Sequence, residues 1–424
     1  MKTKPQGVLH SIFWIMMTAM FLIADGLNAN VIEATTWYVA TTGSNSNTCA
    51  QAQSPNTPKR TIAAALRCVG PAGTEAGAGH TVQVASGTYT ENLLDQIPSG
   101  SSRNAPFTLK SATQYGAVFR PTTDVIHIMF NVPSHYIIID GFTFDGSGQP
   151  EGQGIGTSSA TQGDFHHIRI TNSEFKNIRC DSIVSSGATF MEITGNLIHD
   201  GGDSTSGVGS VGYCHGIYAS SLSSNWLVEY NQVYNYQGYG IHFYGPNQQD
   251  NTVRYNITHH NGLISGQSGM IVGGIGAKVY NNLSYSNGDS GITLKYSSCQ
   301  NSFIYNNTTY ANGAYGILDV GCSGNTYKNN IALANPNDQI AFIKSSGQVS
   351  SNNITTGTAS SIFVNATNAN FNLRAGSPAT NGGTCSIATG IRLVGGSSCY
   401  VGAYPYTGSA GSPPAAPSNL IVQP

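Results

Sequence analysis

The chain has 424 residues, of which 39% are hydrophobic and only 9% charged, with 51 glycines and a formal net charge of −2. Average globular proteins carry about 25% charged residues, and so sparse a charge gives no electrostatic basis for binding nucleic acid or an anionic membrane; neither is expected as a partner. The length allows one large domain or two ordinary ones, and low charge with many Gly, Asn, Ser, Thr and Tyr points to an exported β-protein rather than a cytosolic enzyme.

At the N-terminus, Lys2 and Lys4 precede the apolar run SIFWIMMTAMFLIA (11–24), and a small-residue region ends near Ala29 or Ala34. This order describes a secretory signal peptide over 1–29 and an extracellular location. A membrane anchor is the competing reading, but the run is shorter than the roughly 20 residues that a span needs. The eight cysteines, Cys49, Cys68, Cys180, Cys214, Cys299, Cys322, Cys385 and Cys399, all follow it. An even count in an exported chain favours disulfides. No CxxC or CxxH spacing offers a zinc site, and no metal ligands are assigned.

Further along, asparagine closes a short apolar stretch again and again: NSEFKN (172), NLIHDG (196), NQVYNY (231), NITHHN (256), NLSYSN (282), NTTYAN (307), NIALAN (330) and NITTGT (353). Successive gaps are 24, 35, 25, 26, 25, 23 and 23 residues. A second motif keeps the same period: DSIV (181), HGIY (215), YGIHF (239), SGMIV (268), SGITL (290) and YGILD (315). Short strands at fixed period, with no helix between them, argue for a solenoid of stacked coils. Asparagine suits one turn of every coil, because it tolerates the left-handed region and can pair with the asparagine of the next coil, roughly 4.8 Å away. The sequons at Asn256, Asn282, Asn307 and Asn353 fall on this ladder, so a structural reading outweighs glycosylation there.

With these two periodic motifs, the sequence resembles the right-handed parallel β-helix proteins of the pectate-lyase-like superfamily. WYVATTGSNSNTC (37–49), TIAAALRCVGPAG (61–73) and HTVQVASGTYTENL (80–93) resemble the first strand, a capping helix (61–69) and the first coil of secreted members. YIIIDGFTFDG (136–146) resembles a later coil, and FNLRAGSPATNGG (371–383) with YVGAYPY (400–406) the closing segment. The resemblance implies an all-β, single-stranded right-handed parallel β-helix with a short N-terminal capping helix, spanning 36–406. The tail 407–424, rich in Pro, Ser and Ala, reads as a linker.

In such a solenoid, residues at one offset stack. If the Ile or Met of each motif faces inward, alternation sends offsets +1 and +3 outward. The +1 column is Val184, Tyr218, His242, Ile271, Thr293 and Leu318; the +3 column is Ser186, Ser220, Tyr244, Gly273, Lys295 and Val320. One face then gathers Tyr218, His242 and Tyr244, a bare coil at Gly273 and Gly274, and Lys295, which reads as a groove floored by glycine. Aromatic faces and hydroxyls suit sugars. Outward Tyr and Thr, or a lone solvated His or Lys, are the ordinary alternative. At offset −2, Asp181 lies beneath His215, with Tyr239 next, and an acid beside an imidazole could fix its tautomer. The insertion 199–214 ends at this column and is expected to bring His199, Asp200 and Asp203 near His215. Cys180 and Cys214 share an offset on adjacent coils and should form a disulfide; Cys299–Cys322, Cys49–Cys68 and Cys385–Cys399 are the other expected pairs.

The resemblance implies binding of an extended, usually acidic, polysaccharide or cell-wall glycan on the outward face, by a monomer. The leading expectation is a lyase or C5-epimerase acting on a uronate polysaccharide. His242 or Lys295 would be the base, Tyr244 or Tyr218 the acid, and His215 an orienting or charge-stabilising group, with Tyr218, Tyr239, Asp181 and Asp203 binding substrate. Calcium, used by many related lyases, would need clustered carboxylates; only Asp181, Asp200 and Asp203 approach that, and no cofactor is assigned. A hydrolase of the same fold would need two carboxylates about 5–9.5 Å apart, for which Asp181, Asp203, Asp289 and Asp319 are unpaired candidates. The rival of another class is a non-catalytic adhesin or carbohydrate-binding β-helix.

Overall fold

The computed structural model describes residues 33–405, apart from 124–125, 150–151, 159–160, 203–212, 265, 297 and 386–398. The leader 1–29, the tail 407–424 and Asp203 therefore lie outside the described residues. The chain is a single right-handed parallel β-helix of about ten coils. Among the described residues, three parallel sheets of twelve, ten and ten strands run its length, with consecutive coils hydrogen-bonded in order. Most strands are three residues long, so each contributes one or two inward side chains and then turns.

The G-I motif forms one ten-stranded sheet, called here the site sheet. Its middle strands are Ile183–Ser185, Ile217–Ala219, Ile241–Phe243, Met270–Val272 and Ile292–Lys295. Ile183, Ile217, Ile241, Met270 and Ile292 pair coil to coil and fill the core. Burial of one such side chain on every sheet of every coil supplies the driving force, about 1.5–3 kcal/mol for each large aliphatic.

The asparagine ladder is real, with one change of register. Ser173 N–H donates to Asn196 Oδ1, and Asn196, Asn231, Asn256, Asn282, Asn307 and Asn330 each donate backbone N–H and Nδ2–H to the next asparagine, at 2.8–3.1 Å. Each Nδ2 of these six also donates to a backbone carbonyl of the preceding sheet. Asn172 is not a rung: Ser173 occupies that place, while Asn172 is exposed and bonds Asp140. The left-handed residue is the one before each rung, Asn172, Gly195, Tyr230, Tyr255, Asn281, Asn306, Asn329 and Asn352, so the ladder asparagines serve hydrogen bonding rather than backbone conformation. A second ladder, Asn261, Asn287, Asn312 and Asn335, does the same five residues later.

A helix, Ile62–Val69, packs against the first two strands of the long sheet, Thr36–Val39 and Thr81–Val84. Thr61 Oγ1 accepts from Ala64 N–H, and the Glu91 carboxylate accepts from Ile62 and Ala63, matching donors that a helix start leaves open. At the other end, a hairpin of Phe363–Asn365 and Asn370–Leu373 lays Phe363, Phe371 and Leu373 over the outside of the third sheet, against Leu283 and Leu333. The left-handed asparagines hold this segment down: Asn281 donates to Tyr400 Oη and the Ala403 carbonyl, Asn306 to the Tyr400 carbonyl, and Asn329 to the Thr384 carbonyl. All four expected disulfides are present, Cys49–Cys68, Cys180–Cys214, Cys299–Cys322 and Cys385–Cys399. Among the described residues no helix is long and apolar enough to cross a membrane.

Candidate functional site

The columns read from the sequence meet on the outer surface of the site sheet. Val184, Tyr218 and His242 pair in register, as do His242, Ile271 and Thr293. His215 and Tyr239 enter from the turn just before their strands. Their rings converge: His242 lies 4.5 Å from His215 edge-on, 4.5 Å from Tyr239 and 5.2 Å from Tyr218 in a stacked pose. Tyr218 and Tyr239 lie 5.1 and 5.2 Å from His215, and Tyr244 lies 5.5 Å from His242.

This face is outward but not open. His242 is 6% exposed, Ile271 2% and Thr293 3%, contrary to the expectation of solvent-facing side chains. Part of the cover over His242 is Tyr296, which the sequence reading missed. Alternation would turn offset +4 inward, but Tyr296 has φ +92°, which swings its ring back over the surface. It crosses Gly273, where a Cβ would stand 3.1 Å from Tyr296 Cδ2. Its hydroxyl lies 2.8 Å from His242 Nε2, two coils away. The glycine that suggested a groove floor is therefore the space in which Tyr296 lies. Gly273, one coil from Lys295 and Tyr296, was the available signal.

His215 is 4% exposed and held from two sides. Its backbone N–H donates to Asp181 Oδ1 at 2.7 Å, and its Nδ1 accepts from Tyr239 N–H at 3.1 Å. Asp181 thus pairs with the backbone and not with the imidazole, and Nδ1 acting as acceptor puts the ring proton on Nε2. Gly238 makes room for the ring, since a Cβ there would fall 2.5 Å from His215 Nδ1.

Burial sets the charge states. It holds His242 neutral, its pKa lowered to about 3, with the Lys295 charge adding to the effect. Burial, then His242, lowers His215 well below the usual histidine value. Asp181 is raised to about 7 by burial, against the stabilising N–H of His215. Burial also pushes Tyr239 up to about 12, with Asp289 adding, and raises Tyr218 and Tyr296. The phenols are thus proton donors at neutral pH. At the far edge of the strands, Tyr244 is 44% exposed and Lys295 is exposed, and Tyr244 and Tyr296 meet edge-on at 5.0 Å.

Other expected members go elsewhere. His199 and Asp200, the expected start of the insertion, instead belong to a third-sheet strand, Leu197–Gly201. His199 bonds Glu174 and Asp200 and stacks on Tyr234, and Asp200 also accepts from Asn235. Asp200 lines a polar cavity of about 250 Å³ with Asn177, Arg179 and Gln149, apart from the histidine cluster. Asp319 faces the core, where Tyr327 and Ser345 hydroxyls donate to it, and Asp289 accepts from Ser268 and Ser290; neither forms the carboxylate pair of a hydrolase. Among the described residues, no three His, Cys, Asp or Glu side chains are grouped to hold a metal ion.

Residues 128–272 match the family model of the right-handed beta helix region. No curated protein sequence matches the chain. Among solved structures, a pectate lyase, Pel9A, is similar over 89% of this chain and 98% of its own, at 18% identity and TM-score 0.63. A rhamnogalacturonan lyase matches over 78% and 91% at 14% identity, TM-score 0.47. The A-module of the mannuronan C-5 epimerase AlgE4 from Azotobacter vinelandii matches over 69% and 99% at 15% identity, TM-score 0.41. At these identities the likeness is one of fold.

Proposed function

We propose that this chain is a secreted, polysaccharide-active β-helix whose site sheet binds an acidic glycan and removes the proton α to a uronate carboxylate, as a lyase or C5-epimerase. One arrangement carries the reading: Tyr218, Tyr239, Tyr244 and Tyr296 surround His242, with the exposed Lys295 beside them. Phenol rings offer faces to sugar CH groups and hydroxyls to their polar edges. Four disulfides support an exported protein, and the reading takes it as a monomer that needs no cofactor.

Burial redistributes the chemical roles. His215 and His242 are neutral and enclosed, so they position other groups. Lys295 and Tyr244 are reachable. In its unprotonated form Lys295 takes the proton from the carbon bearing the carboxylate, and the neutral phenols meet the charge that builds on that carboxylate. In elimination, Tyr244 protonates the oxygen that leaves as the adjacent carbon–oxygen bond breaks and a carbon–carbon double bond forms. In epimerisation, a proton returns to the opposite face instead.

The test is incubation with polymers of galacturonate, mannuronate, guluronate and glucuronate. Ultraviolet absorbance of unsaturated ends reads elimination, and proton NMR of the product reads epimerisation. Lys295→Ala and Tyr244→Phe should each lower turnover by about 10²–10⁴-fold. The enclosure of both histidines favours one alternative, a binding module without catalysis. Wild-type protein that binds these polymers but alters none of them would establish it in place of the enzyme reading.

A further inference from the structure

The hydrogen bonding of His242 fixes what the Tyr296 hydroxyl can do. The imidazole is 6% exposed and enclosed by the rings of His215, Tyr218, Tyr239 and Tyr296. Its Nε2 lies 2.8 Å from Tyr296 Oη. Its Nδ1 is buried with no hydrogen-bond partner. A neutral imidazole carries one N–H, which must sit on one of these nitrogens. On Nδ1 it would be a buried donor with nothing to accept it, the rarer kind of defect in folded proteins; a bare Nδ1 lone pair is the milder one.

The proton therefore sits on Nε2 and is donated to Tyr296 Oη. A hydroxyl accepting from His242 cannot also give its own proton to that nitrogen. The O–H of Tyr296 is therefore left to donate to another acceptor. The backbone turn at φ +92° and the space at Gly273 lay the ring across this face.

We infer that His242 is a positioning residue, held as the Nε2–H tautomer, that fixes Tyr296 as a hydrogen-bond donor to a uronate carboxylate oxygen of the bound glycan. The ligand half rests on the function proposed above; the tautomer half does not. Tyr296 supplies the neutral donor that the proposed chemistry needs where charge builds on the carboxylate, and burial keeps its phenol protonated for the task.

Two measurements on the full chain test this. Two-bond ¹H–¹⁵N correlation of the histidine side chains, with the His242 signal assigned by its loss in His242→Gln, should show the Nε2–H pattern; an Nδ1–H pattern overturns the inference. Calorimetric titration with galacturonate, guluronate and mannuronate oligomers, and with their carboxyl-reduced counterparts, tests the donor. Tyr296→Phe should weaken binding of the acidic oligomers roughly tenfold or more and leave the reduced ones nearly unchanged. His242→Gln, which keeps an N–H to offer Oη, should stay within a few-fold of wild type, and His242→Phe should fall to the level of Tyr296→Phe. Equal binding of acidic oligomers by wild type and Tyr296→Phe, or an equal loss for acidic and reduced ones, overturns the donor role. Wild type that binds no acidic oligomer removes the proposed function and the ligand half together, while the tautomer is still decided by NMR.

Discussion

Tyr296 reaches back across two coils to place its hydroxyl 2.8 Å from His242 Nε2, over the backbone of Gly273. A Cβ at position 273 would stand 2.7 Å from the Lys295 carbonyl oxygen and 3.1 Å from Tyr296 Cδ2. Neither neighbour can yield without moving the strand end or the ring. Gly273→Ala should therefore cost about 1–3 kcal/mol of stability, the usual price of overpacking, and displace Tyr296 from His242. Denaturant unfolding reads the first effect, and the His242 side-chain ¹⁵N shifts read the second. Unchanged values of both would mean that the ring does not lie across this glycine.

The buried groups of the site make stability depend on pH in two opposed ways. His242, with its pKa lowered to about 3, and His215, lowered well below normal, stay neutral when folded but protonate near pH 6.5 when unfolded. Below pH 6.5 the unfolded chain binds more protons, so stability falls with acidification, for His242 from 6.5 towards 3 and for His215 in the same direction, by up to about 1.4 kcal/mol per pH unit for each histidine. Asp181 acts in reverse. Raised to about 7, it keeps its proton when folded while the unfolded carboxyl loses it near pH 4, so its contribution is lost as pH rises from about 4 to 7. Asp181→Asn retains an oxygen for the His215 N–H and removes the charge. It should stabilise the protein at pH 7 and above and leave the acid-side loss intact, as followed by chemical denaturation across pH.

Much of this architecture was legible because a solenoid repeats its demands. Every coil needs an apolar residue at the same inward place, so Ile183, Ile217, Ile241, Met270 and Ile292 could be aligned by eye, and residues at fixed offsets from them had to stack. That logic brought His215, His242, Tyr218 and Tyr239 together correctly. It failed where the backbone leaves the strand. Tyr296 lies one residue past the strand end in a positive-φ conformation, and parity has no meaning there. His199 and Asp200 do not join His215 and His242 because they continue a strand, Leu197–Gly201, that belongs to another sheet. Burial of His242 was hidden because it depends in part on Tyr296, from two coils away.

The ladder offers a test in which residue type and position are separated. Asn282 is fully buried: it accepts from Asn256 N–H and Nδ2, and donates to Asn307 Oδ1 and the Val253 carbonyl. Asn282→Ala strands two buried donors, each costing about 1–3 kcal/mol, so a loss of about 3 kcal/mol or more is expected. Asn172, although it begins the same sequence motif, is exposed and off the ladder, and Asn172→Ala should cost about 1 kcal/mol or less. Urea unfolding of the two variants decides the matter. Similar losses would mean that the periodic asparagines act through the turn and not through the ladder.

The Cys180–Cys214 bridge closes a loop of 34 residues in sequence separation, with a Cα–Cα distance of 4.5 Å. Asp181 and His215 are the residues next to its two halves, and their 2.7 Å hydrogen bond spans the same pair of coils. The disulfide thus ties together the two coils on which the buried acid meets the histidine backbone. Replacing both cysteines by serine should lower stability by about 3–4 kcal/mol, the loss expected for a loop of this length. The change should also be local. With the coils free to part, water reaches Asp181, its proton is released at lower pH, and the destabilisation between pH 4 and 7 shrinks. Amide exchange at His215, whose N–H is buried and bonded to Asp181, should quicken by a larger factor than at Asn282 or Asn307, whose ladder bonds lie on another part of the coil. A double serine variant that keeps both the His215 protection and the full Asp181 pH dependence would show that the hydrogen bond, and not the bridge, orders this corner of the site.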